Sequence, residues 1–176
     1  MESKFIKKIK DNKKEIYEWY SKNIKNEDND FIMRNQSQDA IVRIKIIKTP
    51  ESRRDDLLTI DILNDSQIKT VTFFELFPHQ HVPIHNHRDV SYMTPDYKTR
   101  MFNDNDRKYK STHITFETNV DAYMTYLGED IRWEKDIFNE YNLLDNMHSG
   151  TNSGDTSVKF LYIDYFDDVT VDELSQ

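Results

Sequence analysis

Short runs of β-forming residues make up most of the chain, and they limit the folds that it can adopt. From Ala40 onward, β-branched and aromatic residues concentrate in segments separated by clusters of Asn, Asp, Gly and Ser. These segments are IVRIKII, LLTIDIL, IKTVTFFELF, STHITFET, AYMTYL and VKFLYIDYF. Many short strands with polar turns between them predict a mainly β fold, a sandwich or jelly roll, whose narrow barrel can hold a metal ion.

The N-terminal part follows a different pattern. Apolar residues in SKFIKKIKDNKKEIYEWYSKN recur near helical spacing, at Phe5, Ile6, Ile9, Ile16, Tyr17 and Tyr20. This pattern predicts an amphipathic helix with a lysine-rich outer face. We therefore expect an N-terminal helical segment and linker at residues 1–39, a β core at residues 40–168 and an acidic tail at residues 169–176.

Composition excludes several classes of function. The net charge of −8 argues against a nucleic-acid partner. The chain has no cysteine, which excludes disulfides, thiolate metal sites and cysteine nucleophiles. No stretch approaches the roughly 18 apolar residues that a membrane span needs, and the first residues lack the apolar core of a signal peptide. We expect a cytoplasmic protein with no membrane partner; the sequence does not indicate an oligomeric state.

Four of the six histidines fall within the eleven residues HQHVPIHNHRD. His79, His81, His85, His87 and Asp89 all occupy odd positions, so a regular strand would direct them to one face. Neighbours on one face lie about 7 Å apart at the backbone, so two of them can converge on one metal ion. A longer series cannot converge without strong bending, and Pro83 interrupts the strand. A third ligand must therefore come from another part of the chain.

Two ligand sets satisfy this constraint. His87 and Asp89 together with His148 form two imidazoles and one carboxylate, the facial set that holds non-haem Fe(II). His85 and His87 together with a distant histidine form a three-histidine site instead. We expect His87, Asp89 and His148 to bind the metal, with His85 as the alternative first ligand and His79 and His81 not involved.

Several further segments appear in a characteristic order after His87–Asp89. They are THITFETNVDAY at Thr112–Tyr123, GEDIRWEKDIFNEYNLLDNMHSGTN at Gly128–Asn152 and VKFLYIDYF at Val158–Phe166. In this order and spacing the chain resembles the aspartyl/asparaginyl β-hydroxylase-like Fe(II)/2-oxoglutarate-dependent dioxygenases, which include free-proline hydroxylases. The resemblance covers roughly Thr70 to Asp168. It implies a double-stranded β-helix (jelly roll, cupin-like).

The same resemblance assigns roles to individual residues. It implies that His148 is the distal metal ligand and that Asn152 orients it or the cosubstrate. It implies that His113 donates a hydrogen bond to the inner carboxylate of 2-oxoglutarate. Lys159 occupies the position of the basic residue that pairs with the outer carboxylate. Most members of the group have arginine there, and a lysine does not reproduce the bidentate guanidinium clamp.

These observations predict a catalytic function. The resemblance implies a hydroxylase that uses Fe(II), 2-oxoglutarate and O2, forms succinate and CO2, and acts on an amino acid or an amino-acid residue of a peptide or protein. The sequence does not select among aspartate, asparagine and proline. A cupin-like metal- or ligand-binding protein without oxygenase activity is the alternative, and a domain that uses its histidines only as surface residues is the third.

Overall fold

The computed structural model describes residues 2–24, 31–34, 41–50, 52–87 and 109–166. Two helices are followed by ten strands and one short 3-10 helix. The helices are α1 (Lys4–Asp11) and α2 (Lys13–Asn23), and the 3-10 helix is Asp61–Asn64. The strands are β1 (Phe31–Arg34), β2 (Ile41–Lys48), β3 (Ile68–Leu76), β4 (Gln80–His85), β5 (Lys110–Glu117), β6 (Ala122–Tyr126), β7 (Glu129–Arg132), β8 (Glu140–Tyr141), β9 (His148–Asn152) and β10 (Val158–Tyr165).

The predicted N-terminal helix is two helices that meet at Asn12. The Asn12 side chain donates a hydrogen bond of 2.8 Å to the carbonyl of Lys8. Such local bonding by asparagine competes with helix continuation, which explains the break. At the other end of α1, the Ser3 hydroxyl accepts a bond from the N–H of Ile6 and caps the first turn. No helix in the described part of the chain is long and apolar enough to cross a bilayer.

The strands form two antiparallel sheets. The larger sheet has the order β1-β2-β3-β10-β5-β8, and the smaller sheet has the order β4-β9-β6-β7. Every recorded strand pairing is antiparallel. The inner faces of the two sheets share one hydrophobic core. The prediction of a mainly β, jelly-roll (double-stranded β-helix, cupin-like) fold is confirmed.

Strand β10 is almost continuously apolar in sequence because both of its faces are covered. Its even-numbered residues Phe160 and Tyr162 lie in the core between the two sheets. Its odd-numbered residues Leu161 and Ile163 lie in a second core, between the larger sheet and the helices. Because strand side chains alternate between faces, a strand covered on both sides needs apolar residues at nearly every position.

Some predicted strands differ from the structure. The segment LLTIDIL was expected to form a strand, but it contains the 3-10 helix Asp61–Asn64, whose Ile62 and Leu63 are buried. A short apolar run does not by itself distinguish a strand from a buried helical turn. Strand β1 lies in the segment that we expected to be a linker, where it pairs with β2.

Removal of the Phe5 side chain tests whether helix α1 belongs to the folded core. Phe5 is fully buried, and its ring stacks on Tyr165 with a centroid separation of 4.2 Å. We expect Phe5→Ala to lower the free energy of unfolding by about 3–5 kcal/mol, as measured by urea denaturation, because a large cavity remains. Phe5→Leu should lower the free energy of unfolding by clearly less, because leucine fills more of the cavity than alanine. A loss below about 1 kcal/mol for Phe5→Ala would show that α1 does not contribute to the core.

Candidate metal centre

A β-bulge in β4 determines which histidines point inward. Val82 is opposite Gly150 of β9, but His85 is opposite His148, so two residues of β4 occupy the space of one in β9. These two residues are Pro83, which cannot donate to the ladder, and Ile84, which is 64% exposed. The bulge reverses the alternation of side chains. As a result His81 faces outward, whereas His85 faces the inside of the barrel.

Three histidines meet at this end of the barrel. One ring nitrogen from each of His85, His87 and His148 lies within 4.8 Å of the others. The ring centroids are 4.2 Å apart for His85 and His148, and 4.9 Å apart for His87 and His148. Residues 85 and 87 come from one segment, and the third comes from β9. This is the three-histidine arrangement that the sequence offered as the alternative set.

Backbone carbonyls fix the tautomers of two of these rings. The Nδ1 atom of His85 lies 2.7 Å from the carbonyl oxygen of Pro83. The Nδ1 atom of His148 lies 3.0 Å from the carbonyl oxygen of Asn146. A carbonyl oxygen only accepts, so both Nδ1 atoms carry the proton and Nε2 carries the lone pair. Histidines that bind metals in proteins usually have this outer hydrogen bond.

The third ring, His87, is held from two sides. Its backbone N–H donates a bond of 3.1 Å to the carbonyl of Leu143. Its ring atom Nδ1 lies 3.1 Å from the hydroxyl of Tyr162 on β10. The residue is buried with an exposure of 6%, the same as His148. The larger sheet therefore positions His87, whereas the smaller sheet positions the other two rings.

Burial keeps the three imidazoles neutral. It is the main reason why the pKa of His148 falls to about 3, and the nearby His85 lowers that pKa further. Burial and the neighbouring histidines hold the pKa of His87 well below its usual value, and burial also lowers the pKa of His85. Metal ions bind the neutral imidazole, so three uncharged rings fit a divalent transition metal.

Other residues of the histidine stretch have different positions. His79 lies in the turn before β4, where its Nε2 is 3.2 Å from an Asp155 oxygen and its side chain is 65% exposed. The Nδ1 of His81 lies 2.8 Å from the Thr151 hydroxyl on the outer face. Asp89, expected to be a metal ligand, lies outside the described residues.

His113 lies on the inner face of β5, close to the histidine cluster. It is 7% exposed and is surrounded by aromatic rings, with the Phe160 centroid 4.7 Å away. The indole N–H of Trp133 donates a bond of 3.1 Å to Nδ1 of His113. Burial, followed by the charge of His148, lowers the pKa of His113 to about 3. The neutral ring therefore carries its proton on Nε2 and can donate one hydrogen bond.

Lys159, expected to pair with the outer carboxylate of 2-oxoglutarate, lies on the face of the larger sheet that is turned away from the histidines. It precedes Phe160 on β10 and pairs with Glu75 in the ladder, on the side that faces the helices. Its ammonium is 3.0 Å from a carboxylate oxygen of Glu117 and 4.0 Å from one of Glu75. Strand alternation directs its side chain away from the histidines, so Lys159 is not placed to bind a cosubstrate beside them.

The side chain of Asn152 forms hydrogen bonds with other parts of the chain. It lies on β9, two positions from Gly150, and is 1% exposed. Its amide nitrogen donates to the carbonyls of Leu76, Phe77 and Thr156. Its amide oxygen accepts from the side chain of Asn119. Both ends of the Asn152 amide therefore bond to other parts of the chain.

Two residues behind His87 received no role from the sequence. The sequence analysis included Tyr162 and Asp164 only as part of the segment VKFLYIDYF, yet Tyr162 contacts a histidine of the cluster. The signal that could have identified them is a carboxylate in an otherwise apolar strand. Asp164 is fully buried, and a charged group in that position needs specific partners.

Comparisons with known proteins found similar solved structures only at low sequence identity. No protein-family model and no curated protein match it. A predicted oxalate decarboxylase from Thermotoga maritima is similar at 13% identity, over 72% of this chain and 81% of that one, with a TM-score of 0.44. A cupin 2 conserved barrel domain protein from Salinispora arenicola is similar at 11% identity, over 84% and 88%, with a TM-score of 0.46. The fold class rests on the chain's own sheets.

The depressed pKa of His113 predicts a measurable pH dependence of stability. Its folded pKa of about 3 lies below its ordinary value of 6.5, so the unfolded chain binds more protons between these values. Stability is therefore lost as the pH falls from 6.5 toward 3. In His113→Gln we expect the free energy of unfolding to depend less steeply on pH than in the wild type. Near pH ~4.5 the two slopes should differ by about 1.4 kcal/mol per pH unit. The exposed-site variant His79→Gln should follow the wild type; parallel curves for all three proteins would contradict the prediction.

Proposed function

We propose that this protein binds one divalent transition metal ion through His85, His87 and His148. The observation that supports this most directly is the orientation of the rings. In His85 and His148 a backbone carbonyl accepts a hydrogen bond from Nδ1–H, which leaves the Nε2 lone pair for a ligand bond. Three neutral imidazoles on one side of an ion leave its other positions open, as in catalytic rather than structural metal sites.

We further propose Fe(II) as the ion and an oxygen-dependent reaction as its use. A bound iron would supply redox chemistry and activation of O2. The chain itself would hold the metal, surround it with the inner faces of the two sheets and position a substrate. The aromatic rings around His113 would limit access of water, and its Nε2–H would donate to an oxygen atom of the bound molecule.

The finer proposal is hydroxylation of an amino acid or an amino-acid residue of a peptide or protein with 2-oxoglutarate as cosubstrate. It is supported by the order of sequence segments and by His113, which is a neutral donor beside the cluster. The anionic cosubstrate needs a basic residue, and Lys159 faces away. Lys69 is a better candidate, because it is 3% exposed and its positive charge is among the influences that lower the pKa of His87, after burial and the neighbouring histidines.

Metal binding can be tested by calorimetric titration with Fe(II), Mn(II) or Zn(II) under anaerobic conditions. We expect one site in the wild type and loss of at least about 100-fold in affinity for His148→Ala, because one of three ligands disappears. His81→Ala is the matched control: it removes an outward-facing imidazole of the same stretch and should bind like the wild type. Equal binding by both variants, or no binding by the wild type, would contradict the proposal.

Cosubstrate use can be tested by succinate formation with added Fe(II) and 2-oxoglutarate. We expect Lys69→Gln to raise the KM for 2-oxoglutarate roughly 10-fold or more, because one charge-assisted hydrogen bond is lost. Lys159→Gln should change the KM for 2-oxoglutarate less than about twofold, because the Lys159 ammonium pairs with Glu117. Metal binding without succinate formation would favour a cupin-like binding protein instead. A larger effect of Lys159→Gln would show that the assignment of faces is wrong.

A further inference from the structure

A buried carboxylate lies behind the histidine cluster, and the proposed function does not use it. Asp164 is fully buried on β10. Its two oxygens accept hydrogen bonds from three hydroxyl groups. The donors are Thr70 at 2.8 Å, Ser111 at 2.6 Å and Tyr162 at 2.5 Å. Three elements of the larger sheet therefore converge on one carboxylate, which indicates a specific role.

The distribution of protons in this network determines the state of His87. A tyrosine hydroxyl can donate one hydrogen bond, and the Tyr162 hydroxyl donates it to Asp164. The same oxygen lies 3.1 Å from Nδ1 of His87, so it accepts a hydrogen bond there instead of donating one. The Nδ1 atom must then carry the proton. The lone pair of His87 is left on Nε2, as in the other two rings.

We infer that Asp164, acting through Tyr162, is the positioning residue that selects the metal-binding tautomer of His87. The inference rests on the proposed function, in that His87 serves as a metal ligand. Asp164 would not touch the metal or the substrate. Its contribution would be to keep the third ring in the same protonation pattern and orientation as the first two.

His87 needs this arrangement because its outer partner is a hydroxyl. The partners of His85 and His148 are carbonyl oxygens, which only accept, so the backbone alone fixes those rings. A hydroxyl donates or accepts with similar ease, and by itself it would allow both tautomers of His87. The carboxylate removes this ambiguity, because it accepts strongly and has no proton to give.

Asp164 has the partners that a buried acceptor needs. Burial raises the pKa of Asp164 above its usual value, and the bonds from the three hydroxyls and the charge of Lys69 offset part of that rise. Lys69 is itself buried, with its ammonium 4.0 Å from the centre of the Tyr109 ring. The carboxylate is therefore satisfied by three donors and a nearby cation, as a buried anion requires.

Nitrogen-15 NMR of the metal-free, full-length protein reports the tautomer directly. Long-range proton–nitrogen correlations distinguish an Nδ1–H ring from an Nε2–H ring for each labelled histidine. We expect all three rings of the cluster to be Nδ1–H in the wild type. In Asp164→Asn and in Tyr162→Phe, we expect His87 alone to gain an Nε2–H population, while His85 and His148 keep their pattern.

The matched control is Tyr165→Phe. Tyr165 is a fully buried tyrosine on the same strand, but it faces the helices and donates to Glu140. This variant should leave the tautomer of His87 and the affinity for Zn(II) unchanged within about twofold. Tyr162→Phe and Asp164→Asn should each lower Zn(II) affinity by roughly 10- to 100-fold, as is usual for outer partners of ligating histidines.

Two outcomes separate this inference from the proposed function. If His87 is Nε2–H in the wild type, or stays Nδ1–H in both variants, the inference is overturned whether or not the protein binds metal. If the wild type binds no metal but its tautomer changes as expected in the variants, the role of Asp164 on His87 is supported and the proposed metal site is not.

Discussion

The candidate metal centre depends on the bulge that separates Val82 from His85 in β4. Without it, regular alternation would direct His85 to the same outer face as His81. With it, His85 lies opposite His148 on the inner face, and His87 follows within reach of β10. One extra residue in one strand therefore converts a row of histidines into a three-histidine cluster.

Much of the fold could be predicted from local sequence pattern, because strands and helices leave different periodicities. The faces of individual residues were harder to predict. His85 and Asp89 compete for the same role by spacing alone, and only the ladder with β9 shows that His85 is turned inward. The position of Lys159 depends on its register with Glu75, which follows from long-range pairing rather than from local sequence.

The inner and outer faces of the larger sheet carry different polar networks. On the outer face, Lys159 joins Glu117 and Glu75 in a charged network beneath the helices, which stabilises their packing. On the inner face, Tyr162 and Asp164 continue the hydrogen bonding of His87 into the core. Adjacent residues of β10 therefore face different surroundings, the charged network in the case of Lys159 and the histidine cluster in the case of Tyr162.

X-ray absorption spectroscopy of the protein loaded with one equivalent of Zn(II) tests the three-histidine ligand set most directly. We expect multiple-scattering features from three imidazoles, with Zn–N distances of about 2.0–2.1 Å. Fewer than three imidazoles, with a carboxylate in the place of His85, would contradict it.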